Sequence, residues 1–219
     1  MVILGINLTM MLRKWISIAL AGFVASAAQS LVYAQETPDA LVKRVVDDVT
    51  AALKSDRTIQ ADRSKINALV DAKIAPSINF ARMTQSAVGR HWQRATPEQQ
   101  TALTREFKSL LTNTYAYAFV EYKPDTVIEY RPFRMQAGET DAVVKSLIKA
   151  GGSREPIQID YYLEKGDSGW KVVDMNVLGA RLVETYKNTF NTEINNGGVD
   201  GLIKSLGVKN RSIEARNTT

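Results

Sequence analysis

Apolar side chains recur with two different periods along this chain. From residue 37 to about 122 they return every three or four positions, the spacing of one helix face. Thr37-Pro38-Asp39 reads as a cap with proline in the first turn, followed by Leu41, Val45, Val49 and Leu53. Ile66, Leu69, Val70 and Ile74 predict a second helix stopped at Pro76, and Ile78, Phe80, Met83 and Val88 a third, ended at Gly89. Thr96-Pro97-Glu98-Gln99 has the residues of a capping box and opens the longest helix. Its apolar face runs through Leu103, Phe107, Leu110, Leu111, Tyr115, Ala118, Phe119 and Tyr122 to a stop at Pro124.

Beyond Pro124 the period drops to two, which is strand spacing. Residues 127–136 predict a strand that Pro132 pushes to a sheet edge. Ala142, Val144, Ser146 and Ile148 then alternate with Lys145 and Lys149, and Ile157, Ile159, Tyr161 and Leu163 with Gln158, Asp160 and Glu164. Turns at Gly151-Gly152 and Gly166-Asp167-Ser168-Gly169 lead into a further strand over 170–177. Strands joined by turns this short must form an antiparallel meander. Two more helices follow, one carrying Leu182, Tyr186, Phe190 and Ile194, the other Val199, Leu202, Ile203 and Leu206. Helices, then one sheet of about four strands, then helices predict an α+β fold.

The first 34 residues stand apart. Arg13 and Lys14 precede an apolar run over 15–25, and Val32-Tyr33-Ala34 supplies small residues ahead of Gln35-Glu36. This has the three parts of a cleavable secretory signal, with a run too short to span a bilayer comfortably. Residues 35–219 then form a single domain, placed in a bacterial periplasm. The segment holds two of the 28 basic residues and none of the 23 acidic ones, so the remainder carries about +3. No Lys/Arg cluster marks a nucleic-acid site, and no nucleic-acid partner is expected.

Composition removes much chemistry. With no cysteine and only His91, thiolate nucleophiles, disulfides and sites needing two imidazoles are excluded. His91 lies in Gly89-Arg90-His91-Trp92 with no acid beside it, and no phosphate-binding loop or nucleophile elbow occurs. The residues supply no catalytic or metal set, and the chain is expected to be a non-enzyme without a cofactor. Large residues on the long helix are expected opposite the small ones of the strand with Val144. That arrangement makes either an interdigitated core or a cleft, and periodicity alone favours the filled core.

Several runs together resemble the MlaC phospholipid-binding family, also called toluene-tolerance auxiliary proteins. They are Phe80-Ala-Arg-Met83, Val88-Gly89-Arg90-His91-Trp92, Ala95-Thr96-Pro97-Glu98-Gln99, Phe107-Lys108-Ser109-Leu110-Leu111 and Thr114-Tyr115. Gly169-Trp170-Lys171-Val172-Val173-Asp174 follows, then Val177, Gly179, Leu182-Val183 and Gly201-Leu202-Ile203. Their order covers residues 36–207; Ala180-Arg181 departs from the Val-Ser expected there. The resemblance implies a curved antiparallel sheet wrapped by N- and C-terminal helices around an apolar cavity. It implies a periplasmic carrier that moves phospholipid, as cargo, between an outer-membrane lipoprotein–porin complex and an inner-membrane ABC transporter, maintaining outer-membrane lipid asymmetry. The residues expected to line the cavity are Phe80, Met83, Phe107, Leu110, Leu111, Tyr115 and Phe119 from the helices and Val144, Ile148, Ile159, Tyr161, Met175 and Val177 from the sheet. Leu182 and Tyr186 complete the set. Trp92 and Trp170 are expected to be structural. The alternative is a cone-shaped α+β enzyme, or a binding module for another small hydrophobic ligand.

Overall fold

In the computed structural model, which describes residues 36–149 and 155–216, helix α1 (Pro38–Ser55) starts at Pro38 after an extended Thr37. The expected signal segment and the Gly151-Gly152 turn lie outside the described residues. Asp62 caps α2 (Arg63–Leu69) by accepting from the Ser64 and Lys65 amides. The chain then passes through a π turn (Val70–Ile74) and a 3₁₀ turn (Ala75–Ser77) rather than continuing as helix to Pro76. Asn79 caps α3 (Phe80–Val88), which ends at Gly89 with φ +63°. Both halves of the Thr96/Gln99 capping box form at the start of α4 (Pro97–Tyr115).

The long helix does not reach Pro124. It breaks at the fully buried Ala116, and a short α5 (Tyr117–Val120) follows. Gln60 then closes the helical run: its amide donates to the carbonyls of Phe119, Val120 and Tyr122 at 3.0, 3.2 and 2.7 Å. Those are terminal carbonyls that no helix partner satisfies.

Five strands, not four, make one antiparallel sheet in chain order: β1 (Val127–Tyr130), β2 (Asp141–Lys149), β3 (Ile157–Gly166), β4 (Gly169–Val177) and β5 (Ala180–Arg181). β1 is an edge strand, as Pro132 predicts, but stops at Tyr130. The pairing of β3 with β4 shifts at Tyr162/Leu163, leaving Val173 unopposed. Such a bulge bends the strand and raises its twist. It also lets Trp170 and Val172 share one face with Met175 and Val177, which strict alternation forbids. Helix α6 (Leu182–Arg216) is two helices joined across a kink at Gly198, as the two separate apolar stretches suggest.

Two large apolar clusters hold these elements. One joins α3, α4 and α6 through Met83, Leu103, Phe107, Leu110, Leu182, Phe190 and Leu202. Phe107 meets Tyr186 and Phe190 edge-on, each at 5.1 Å between ring centres, geometry that adds to their burial. The other joins Leu41 and Val42 of α1 to Ala142, Val144, Leu163, Trp170 and Val172 of the sheet. The helix over Val144 is therefore α1, not the long helix whose large side chains were expected there. Those side chains face α3 and α6 instead, because α1 already occupies that part of the sheet. Trp170 belongs to this sheet core rather than lying under a loop.

Candidate functional site

The register sorts the inward side chains of the sheet into rows. Ile128, Ile148 and Ile157 form the first; Tyr130, Ser146, Ile159 and Val177 the second; Val144, Tyr161 and Met175 the third; Ala142, Leu163 and Val172 the fourth. Burial changes along them. All three residues of the fourth row are buried, under α1. In the third row Val144 is 1% exposed while Tyr161 and Met175 are only half-buried. In the second Tyr130, Ile159 and Val177 are half-buried while Ser146 is 1% exposed, and Ile157 in the first reaches 39% exposure. The inner face is closed at the Trp170 end and open at the Ile157 end. Rows are two residues apart, roughly 7 Å, so the open stretch is about 14 Å deep. One leaflet of the roughly 30 Å bilayer core needs about that depth for its acyl chains.

The helices supply half-buried apolar side chains as well. Phe80 of α3, Tyr115 of α4 and Tyr186 of α6 pack on the helical cluster without being covered by it, and Met175 and Val177 of the sheet touch the same cluster. Phe119 of α5 lies in a third group with Val49, Leu53 and Leu69. The fifteen expected lining residues thus divide. Phe80, Tyr115, Phe119, Ile148, Ile159, Tyr161, Met175, Val177 and Tyr186 keep accessible surface. Met83, Phe107, Leu110, Leu111, Val144 and Leu182 are buried in the clusters. These six support the wall behind the residues that keep surface.

Ile78, Ile128 and Tyr130 share the half-buried character but are absent from the expected set. For Ile128 and Tyr130 the signal was the inward alternation of β1, which a four-residue strand makes too short to read. Ile78 lies on the short connection before α3, which has no period to read. Burial raises the phenols of Tyr115, Tyr130, Tyr161 and Tyr186 above their ordinary value of 10.0. Ser146 Oγ meets the Tyr161 hydroxyl at 3.5 Å, and the Tyr130 hydroxyl is buried with no partner among the described residues. These groups stay neutral at any physiological pH.

At the mouth, the two-residue turn Leu178-Gly179 takes positive φ at both positions, 53° and 88°. A buried carboxylate holds it. Asp174 accepts from Arg181 Nε at 2.8 Å and from the Val183 amide at 3.1 Å, tying β4 to β5 and to the start of α6. Arg181, the departure from the family pattern, also stacks 4.0 Å over the Tyr162 ring. His91 bonds Asn191 at 3.0 Å, a neutral partner. Among the described residues no group of three or more His, Cys, Asp or Glu could hold a metal ion.

Comparison with known proteins agrees with this geometry. A structure of the phospholipid-binding protein from Ralstonia solanacearum, in complex with a phospholipid, superposes with a TM-score of 0.76 at 44% identity, covering 80% of this chain and 98% of that one. The intermembrane phospholipid transport system binding protein MlaC of Haemophilus influenzae is 23% identical over 199 residues, 89% of this chain and 92% of the relative. Toluene tolerance protein ttg2D of Pseudomonas putida is 25% identical over 193 residues, 86% of this chain and 85% of the relative. A family model described as MlaC protein matches residues 43–207, from the middle of the first turns of α1 to past the kink of α6, and the chain belongs to that family.

Proposed function

We propose that this protein carries phospholipid between the two membranes of a bacterial envelope, holding the acyl chains in the open half of its interior. The observation that carries the reading is the gradient along the sheet, closed under α1 and open toward Ile157. The phospholipid complex of the Ralstonia relative supports it.

The physical need is large. Two acyl chains hold on the order of 30 methylenes, and exposing each to water costs ~0.8 kcal/mol, about 24 kcal/mol together. No lipid crosses an aqueous gap at a useful rate against that. A carrier needs only a wall about as dry as the bilayer, so that loading and unloading both stay near balance. The nine half-buried residues provide it: Phe80, Tyr115, Phe119, Ile148, Ile159, Tyr161, Met175, Val177 and Tyr186. Nothing in this reading requires a covalent step or a cofactor. Direction comes from partners, for which we propose an outer-membrane lipoprotein–porin complex and an inner-membrane ABC transporter, met in the periplasm after removal of residues 1–34. The Haemophilus relative's name, a binding protein of an intermembrane transport system, supports that pairing.

Transfer of labelled phospholipid between two vesicle populations tests the proposal. The protein should accelerate it, and Ile159→Glu should abolish the acceleration, since an acyl chain cannot lie against a carboxylate without desolvating it. Transfer no faster than in buffer would refute the reading.

A further inference from the structure

A second cavity lies away from the sheet. It is a cleft of about 450 Å³ between the start of α2 and the C-terminal ends of α4 and α6, within the size range of small-ligand sites. Ile66, Val120 and Ile213 give it an apolar side; Gln60, Asn113, Thr114, Arg63 and Arg216 give it a polar one.

Neither arginine there touches a carboxylate, although the charge of Glu214 acts on Arg63 from farther off. Among the described residues neither makes an ion pair within 4.0 Å. Arg63 Nη2 donates to the Asn113 side-chain oxygen at 2.7 Å, and its Nε is buried with no partner. Burial lowers the Arg63 pKa from its ordinary value, a sign that the cation is held out of water. Arg216 makes only a 3.3 Å bond to the Ser212 carbonyl on its own helix. The Asn113 amide in turn donates to Glu214 at 3.2 Å. That bond fixes Asn113 with its oxygen toward Arg63. The charged side chains on the lining are both guanidiniums, the charge complement of a phosphodiester. An arginine fork is also the side chain whose planar donors best match phosphate oxygens.

The cleft adjoins the proposed chain-binding space. Thr114 lines it and lies beside Tyr186, and Val120 follows Phe119. We infer that this cleft is a phosphate site, in which Arg63 and Arg216 receive the phosphodiester of the carried lipid. The inference rests on the carrier reading. Zwitterionic and anionic phospholipids share the phosphate, so the site separates phospholipids from phosphate-free lipids and not one headgroup from another.

The test loads the full chain from vesicles containing either phosphatidylglycerol or diacylglycerol of the same chains. Uptake of the phospholipid should exceed that of diacylglycerol at least tenfold. R63Q and R216Q should each cut the ratio at least threefold, and the double variant should remove it while diacylglycerol uptake stays unchanged; R134Q, outside the cleft, should leave the ratio intact. Arg216 is exposed, so R216Q decides the matter if R63Q fails to fold. An unchanged ratio in the variants overturns the inference. Inorganic phosphate supplies a separate arm: if it perturbs the Arg63 side-chain NMR signal in the unsubstituted chain but the lipid ratio ignores both substitutions, the cleft takes free phosphate and the headgroup assignment is wrong. If neither lipid is taken up, the carrier reading itself has failed.

Discussion

Val144 and Val177 lie on the same inward face of the sheet, one sealed beneath α1 and the other half-buried beside the helical cluster. The same substitution should therefore act differently at the two. Val144→Phe overpacks a filled cluster and should cost about 1–3 kcal/mol, a fall in melting temperature of roughly 2–12 °C for a chain of this size. Val177→Phe should leave the lipid-free melting temperature nearly unchanged and reduce phospholipid uptake. Equal melting temperatures for both variants would place Val144 in the cavity after all. The interior phenols make a second prediction. Above pH 10 the unfolded chain loses phenolic protons that the folded chain keeps, because burial raises the folded values. Their contribution is fully present below pH 10 and is lost as pH rises through the folded values. Denaturant midpoints should decline above that pH, and less steeply in Tyr161→Phe. Parallel curves would contradict the assignment. At this scale the sequence was half legible: which residues point inward follows from period, but whether an inward residue is covered depends on which helix arrives over it.

Helix starts were the most readable elements, because a cap is a local contract between neighbours; the Thr96/Gln99 box and the Gly89 stop both form. Three features were not readable for the opposite reason. The end of the helical run after Ala116 is held by Gln60, more than 50 positions away; the bulge depends on how β3 and β4 pair; and α1 takes the place over Val144 through long-range packing. The kink in α6 is testable by itself. Gly198 has φ 69° and ψ −175°, a region essentially reserved for glycine, and nothing lies within 4 Å of where a Cβ would stand. Gly198→Ala should thus cost about 1–3 kcal/mol through backbone strain alone, whereas Gly197→Ala, without positive φ, should be neutral or mildly stabilising by chemical denaturation. Similar losses at both would remove the kink as the cause. Asp174→Ala strips the acceptor from Arg181 and from the Val183 amide, and should cost about 2–3 kcal/mol. Hydrogen exchange should then quicken at the start of α6 before the rest of the molecule.

The whole molecule combines two packed apolar clusters with a set of half-buried apolar side chains beside them, and the proposed carriage rests on that contrast. The α+β class and the antiparallel order of the strands were legible from the switch in period. The apolar opening was not, since a filled and an open interior have the same inward pattern; only the resemblance pointed to it. The phosphate cleft gave no signal at all, because Arg63, Asn113 and Arg216 are brought together from three helices. One measurement reaches the central claim without any substitution. Native mass spectrometry of protein purified without detergent should show, beside the bare chain, an adduct with the mass of a diacyl phospholipid, removable by solvent extraction and restored by incubation with vesicles. A single bare mass that no vesicle incubation changes would contradict lipid carriage.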